Sequence, residues 1–359
     1  TQTERGHTMK EPLLFSVDLG NKSVKEMSTH VSPLSLPSRI LNKNIINSGR
    51  FSNIGSSLKR SLNVSEYSLV NTTESYYFGK DIHELGKDDY VIESLGFGIS
   101  RYKQETYQNI LSFSLANLAR LEDQSDDVLT ANLVLGLPSS DYTETIVKYV
   151  MQQATRQHSV EVDGKAYNIN VDTVWVLPQP IGTLYNLLLA DDGSVQDETL
   201  ISQKIGFVDI GGGTKLFDVV QNFEIDENNR EQKDTGIFTL YNRIVNMLDL
   251  PISPNAFQLE KIIREGKEKG VYLFKPSGNE SFDISEVVER EIKTYTNMVV
   301  AEVLATFKNF TTLDKVVFTG GGASIIDKQL VKDKIPHTLF VEDSEFSNVK
   351  GFYKFGLTQ

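Results

Sequence analysis

The amino-acid sequence predicts an α/β protein of two domains. Three observations carry this. Apolar runs of strand length alternate with stretches whose apolar residues recur at helical spacing. That order starts again after residue 200. An apolar run ending in Asp-x-Gly occurs twice, as VDLG at Asp18 and as VDIG at Asp209. At 359 residues the chain is long enough for two separate cores.

LLFSVDLG (13–20) reads as a buried strand entering a glycine turn. Shorter β-like stretches such as YYFG (76–79) follow as a meander. ETYQNILSFSLANLARL (105–121) is expected to be a long helix. LTANLVLGLPSS (129–140) is a strand ending in a Gly-Pro turn. DYTETIVKYVMQQA (141–154) is helical, with Asp141 or Ser140 as N-cap. VDGKAYNINVDTVWVLPQPIG (162–182) opens with a DG hairpin signal and continues as strands, after which PIGTLYNLLLAD turns helical. GFVDIGGGTKLFDVV (206–220) is strand, turn, strand. Helices follow at 252–270 and 283–307. KVVFTGGGASII (315–326) is a strand, a glycine turn and a helix start, and NVKGFYKFG is a short tail. Residues 1–10 are expected to be a flexible arm.

Composition narrows the classes. Hydrophobic residues make up 39% and charged residues 23%, ordinary for a soluble globular protein. No run approaches the roughly 18 apolar residues of a membrane helix. TQTERGHTMKEPLLF has no apolar core of a secretory signal. The lack of cysteine excludes disulfides, thiolate zinc sites and a Cys nucleophile, and fits a cytoplasmic protein. Net charge is −12, from 36 basic and 48 acidic residues. Such a chain repels a DNA backbone and has no basic tract to offset that, so any role with DNA should run through an adaptor.

The glycine turns raise the chemical question. In VDLGNKSVKEM and VDIGGGTKLFD a buried strand delivers an aspartate, a glycine turn follows, and a second strand runs back. Glycine lets backbone N–H groups approach an anion closely. Carboxylate and phosphate repel, so the aspartates make sense with a hydrated divalent cation between them. Ser23 and Lys25 on one turn, and Thr214 and Lys215 on the other, could add donors. TGGGAS suits close approach to a flat or charged ligand group, with a helix N-terminus favouring anions. A single glycine cluster is equally explained by a tight hairpin or close packing. Three clusters, two with Asp at the matching place, favour the phosphate reading. No GxxxxGK[ST] loop competes.

The two Asp-x-Gly hairpins, VLPQPIGTLY and TGGGAS resemble the five-motif nucleotide site of the actin, sugar-kinase and large heat-shock chaperone superfamily. VLGLPSS, PQPIGTLY, FVDIGGGT, VVFTGGGASII and FSNVKGFYKFG look most like the bacterial plasmid-segregation actins, the ParM/StbA group, over about residues 13–357. The resemblance implies an actin-like fold: two domains of related topology, mixed central sheets and a nucleotide cleft between them. The first would comprise 11–178 with 343–359, and the second 179–342. The region from about 40 to 95 would be a polymer-facing small subdomain.

The resemblance also implies roles. Asp18 and Asp209 would face the metal of Mg2+-ATP, through water. Gly20, Asn21, Lys22 and Ser23 would line the first phosphate loop, and Lys25 would reach the β- and γ-phosphates. Gly211, Gly212, Gly213 and Thr214 would form the second loop. Gly320, Gly321, Gly322 and Ala323 would border the adenosine, with Arg264 and Lys267 supplying base or ribose contacts; a solvated charged face is the plain alternative for those two. Gln179 would orient the attacking water, since an amide cannot act as a base. It could instead bond the hinge backbone or face solvent. The implied protein is an ATPase of the bacterial cytoplasm that cycles between ATP and ADP, polymerises with itself, and moves plasmid DNA through a small DNA-binding adaptor on a centromere-like site. No direct DNA or membrane contact is expected. The rivals are a chromosomal or phage cytoskeletal actin and a small-molecule kinase of the same fold, for which no substrate-directed catalytic Asp motif is evident.

Overall fold

The computed structural model describes residues 11–44, 62–123, 128–308 and 310–359. The expected arm at 1–10 lies outside them, as does part of the segment 40–95.

Strand β1 (Leu13–Leu19) is buried along its whole length. That is why its sequence is an apolar run and not an alternation. It lies between β2 (Ser23–Ser28), which returns antiparallel, and β8 (Leu129–Leu137), which runs parallel. Beyond β2 lies β3 (Leu34–Pro37). Beyond β8 lies β10 (Lys165–Pro178), whose 14 residues are long enough to serve two neighbourhoods. Its later part pairs with β8. Its start pairs with β9 (His158–Val162), which leads on to β5 (Ser65–Leu69), β6 (Tyr76–Phe78), β4 (Arg39–Asn42) and β7 (Ile92–Glu93). A register shift between Val171 and Val174 marks the change of direction.

Helix α1 (Glu105–Leu121) and helix α2 (Glu144–Ala154) pack on this sheet. The α2 N-cap differs from expectation. Ser139–Asp141 form a 3-10 turn, and Thr143 caps the helix by accepting from the Ile146 N–H at 3.4 Å. Asp141 instead accepts from the Tyr102 hydroxyl at 2.7 Å and the Gly98 N–H at 3.0 Å, so it is not available as a cap.

The second half repeats the theme. β11 (Ile205–Ile210) pairs antiparallel with β12 (Lys215–Gln221) and parallel with β17 (Lys315–Thr319), as β1 does with β2 and β8. β18 (Thr338–Phe340), β13 (Glu224–Ile225) and β14 (Glu231–Lys233) complete this sheet; β15 (Leu273–Ser277) and β16 (Glu280–Asp283) form a separate hairpin. The two expected helices begin later and end earlier than the apolar pattern. They are α5 (Ala256–Gly266), opened by an Asn255–Gln258 capping box, and α6 (Ser285–Thr306). A helix that the pattern did not single out, α4 (Ile237–Met247), follows β14. Within TGGGAS (319–324) the chain makes a 3-10 turn, Gly321–Ser324, in place of a helix start, and α7 (Lys328–Lys334) begins later, capped by Asp327.

The interface of the halves is closed by helix α3 (Gln179–Leu188) and the C-terminal helix α8 (Ser347–Leu357). They approach so closely that a Cβ on Gly351 would lie 1.7 Å from the Gly182 carbonyl. Phe352 is fully buried against β1 and β8, and the tail is thus a core element of the first sheet.

One buried acid makes the stability of the first half pH-dependent. Glu26 on β2 is fully buried; Asn117 donates to its Oε1 at 2.6 Å, and its Oε2 has no hydrogen-bond partner among the described residues. Burial pushes its carboxyl up to about 7, against a model-peptide value of 4.5. Folding therefore favours the protonated form. That contribution is complete below about pH 4.5 and is lost as pH rises through about 7, a difference of about 3 kcal/mol. Glu26→Gln should raise the melting temperature by roughly 5 °C at pH 8 and much less at pH 5. Equal shifts at both pH values in a calorimetric scan would contradict this.

Candidate functional site

Both Asp-x-Gly hairpins use one local design. The Gly20 N–H donates to the Ser23 carbonyl at 3.0 Å, and the Gly211 N–H to the Thr214 carbonyl at 2.8 Å. A Cβ on Gly20 would lie 2.9 Å from that carbonyl, and one on Gly211 would lie 3.1 Å from its own, so both turns need glycine for close approach. In the second turn the carbonyls of Gly211, Gly212 and Gly213 accept from Ile237, Phe238 and Gly236 at the start of α4. With its carbonyls taken by a helix N-terminus, this loop has N–H groups to offer the cleft. The loops also meet. A Cβ on Gly212 would lie 2.7 Å from the Lys22 Cβ.

Between them is a cavity lined by Asp18, Gly20, Asn21, Lys22, Ser23, Lys25, Gln179, Asp209, Gly211, Gly212, Gly213, Thr214 and Gly320, all named from the sequence, and by Leu216, Glu345 and Asn348, which were not. Asp18 and Asp209 end strands of different sheets and converge. Asn348 Nδ2 donates to Asp209 Oδ2 at 3.0 Å and to Asp18 Oδ2 at 3.5 Å. Gln179 is buried, and its Nε2 donates to Asp18 Oδ1 at 2.7 Å; its Oε1 is buried with no partner. Gln179 thus neither bonds the hinge backbone nor faces solvent. Burial raises the Asp209 carboxyl above its ordinary range; the Lys25 charge counters this, Asp18 reinforces it, and the Asn348 bond counters it again.

Other residues are placed differently from expectation. Lys22 lines the cavity, but its ammonium pairs with Glu93 at 3.1 Å, and Glu93 also holds Arg39 at 2.5 Å. Arg39 in turn lies 4.4 Å over the Phe257 ring, which also stacks on His83 at 5.4 Å and meets Phe238 edge-on at 5.1 Å. Lys22 therefore belongs to a latch between β7, β4 and helix α5. Lys215 is no donor to the turn. It is fully buried, pairs with Glu302 at 2.5 Å and lies over Tyr295, because strand alternation turns it away from the cleft into the second core. Arg264 and Lys267 stay outside the cavity lining. Arg264 pairs with Glu260 at 3.0 Å and with Glu345 at 3.3 Å, and Lys267 donates to the Ser324 carbonyl. Gly321 faces Arg264, Gly322 packs on Ile210, and Ala323 is in the core; of the four, Gly320 alone lines the cavity.

The residues present fit a hydrated cation. The orphaned Gln179 Oε1 is an acceptor that a water would satisfy. A Cβ at Gly320 would sit 2.2 Å from Asp209 Oδ1, so glycine keeps that oxygen's surroundings open. Among the described residues no group of three His, Asp or Glu side chains gathers to hold a bare ion, so two carboxylates acting through water is the form that suits this cleft. Asn348 carried no legible role. In FSNVKGFYKFG it is one polar residue among Ser347, Lys350 and Lys354, with nothing to set it apart.

A model of the N-terminal domain of actin-like proteins matches residues 16–182, and a model of the Alp7A C-terminal domain matches residues 204–345. No curated protein gives a significant match. Among solved structures, apo ParM of psk41 is similar at a TM-score of 0.73 and 24% identity, with 98% of this chain and 100% of that one covered. Bacillus thuringiensis ParM with ATP gives 0.72 and 15%, covering 97% and 99%. A filament structure of Alp12 gives 0.63 and 14%, covering 97% and 99%.

Proposed function

The chain belongs to the actin-like protein family, and from that premise we propose that it is a nucleotide-driven filament protein. It binds Mg2+-ATP between its two halves, hydrolyses it to ADP and phosphate, and couples that cycle to assembly. Bacillus thuringiensis ParM has been solved with ATP and Alp12 as a filament, which supports both parts. The observation that carries the reading is the convergence of Asp18 and Asp209, each followed by a glycine phosphate turn, from two separate sheets.

When bound, the cation neutralises charge on the phosphates and orders water around itself. The chain's own residues do the rest. The N–H groups of the two loops and the Lys25 ammonium hold phosphate oxygens. Asp18 and Asp209 hold the cation's waters. Gln179, anchored through Nε2 on Asp18, presents Oε1 to a water for in-line attack on the γ-phosphate. The reaction is positioning and charge neutralisation, with no protein nucleophile.

The filament would act in the bacterial cytoplasm, moving plasmid DNA through a small DNA-binding adaptor, as the net charge of −12 disfavours direct contact with DNA. Among the described residues no helix is long and apolar enough to cross a membrane. Light scattering and sedimentation with ATP, ADP and a non-hydrolysable analogue test the proposal. ATP and the analogue should drive assembly at micromolar protein, ADP should not, and assembly should strengthen as salt screens the acidic surface. A chain that binds ATP yet stays monomeric across a salt series would overturn the filament reading in favour of the small-molecule kinase.

A further inference from the structure

Asn348 joins groups that no motif brings together. It lies in the first turn of α8, is buried, and its Nδ2 faces Asp209 of β11 and Asp18 of β1. An amide nitrogen carries two hydrogens and accepts none, so one nitrogen can serve two carboxylates at once. The Asp209 contact, at 3.0 Å, is the firmer; the Asp18 contact lies at the limit of a hydrogen bond. The amide cannot turn over. Its Oδ1 accepts from the Thr183 hydroxyl at 2.7 Å, and the reverse orientation would set that oxygen against both acids. Two carboxylates brought to one point repel; the Lys25 charge eases this at Asp209, but among the described residues no other side chain is seen to hydrogen-bond both acids. Gln179 reaches Asp18 alone, and Lys25 is a cross-strand neighbour of Asp18 across the hairpin.

We propose that Asn348 is the positioning residue that holds the carboxylates of the two halves converged, with Thr183 fixing the direction of its amide. The proposal rests on the nucleotide reading only for what those carboxylates serve. The convergence itself is made by contacts within the chain. The site would then be assembled by a helix more than 300 residues distant in sequence from the first acid, not by the two hairpins alone.

The test uses the full chain without nucleotide. Asn348→Asp keeps the side chain's shape and replaces the donor with a third carboxylate. Its melting temperature should fall by about 5 °C or more, since an uncompensated buried charge is costly. Millimolar Mn2+ should restore most of that loss while moving the parent by much less. Combining Asn348→Asp with Asp209→Asn exchanges the two groups and leaves two carboxylates, and this double variant should melt within about 2 °C of the parent. A single variant that melts like the parent, with or without Mn2+, overturns the proposal, as does an exchange variant no more stable than the single one. If Asn348→Asp does not fold, the exchange variant decides: folding near the parent's stability supports the pairing, and failure to fold overturns it. ATP binding by the parent is measured separately, so a parent blind to ATP would sink the nucleotide reading and leave the stability result standing.

Discussion

Asp209→Asn should lower ATP turnover by about a hundredfold or more while the protein stays folded. The substitution is isosteric, and the Asn348 donor still finds an oxygen at the same place. What is lost is one negative charge at the meeting point of two sheets. Charge stabilisation at a phosphoryl-transfer site is worth several kcal/mol, and even single preorganised donors elsewhere are worth about 10²–10³ in rate. Because burial and Asp18 already work against ionised Asp209, removing its charge should not weaken the fold. Phosphate release and thermal unfolding on the same preparation read both halves of the expectation. Normal turnover would remove Asp209 from the metal side of the cleft.

Gln179→Ala should slow hydrolysis by about 10- to 100-fold and leave nucleotide affinity within about threefold. A buried acceptor with no partner costs about 1–3 kcal/mol. The Oε1 of Gln179 is such an atom, and a water is what would satisfy it. The position is stiff as well. Pro178 caps α3 in an extended conformation and Pro180 sits in its first turn, so the Gln179 side chain is aimed by the backbone and tied by Nε2 to Asp18. Filaments of the variant should form with ATP and persist longer in proportion to the lost rate. Parent-like phosphate release and disassembly would remove Gln179 from the mechanism; failure to assemble at all would make it a structural hinge residue.

How much of this was legible in the sequence follows the range of the interactions. Each Asp-x-Gly turn is a local object, a strand, a tight bend and a returning strand within about 15 residues, and its composition announces it. That the two turns face one cavity also followed from the matching place of Asp18 and Asp209. Lys215 was misread because its neighbours in sequence point to a phosphate, while its partner, Glu302, lies on α6 and is visible only in the fold. Lys22 was drawn away by Glu93 on β7, a two-residue strand with no sequence signal. Asn348 was illegible for the same reason on a larger scale. Arg264 and Lys267 carried no signal beyond their charge; in the fold Arg264 pairs with Glu260 and with Glu345, which lines the cavity, and Lys267 donates to the Ser324 carbonyl.

The placement of α8 has a consequence for biosynthesis. Phe352 and the Ser16–Val349 hydrogen bond complete the packing around β1, and Asp18 and Asn348 are separated by 330 residues. At ribosomal speeds of about 5–20 residues per second, β1 emerges on the order of 15–65 seconds before the helix that covers it. Throughout that interval the nascent chain carries an open apolar slot and an unassembled cleft. On the proposed reading, a growing chain could not enter a nucleotide-driven filament before α8 is in place. The same delay presents the slot to chaperones and to neighbouring nascent chains, so crowding on polysomes should threaten the yield of this protein more than its equilibrium stability would suggest.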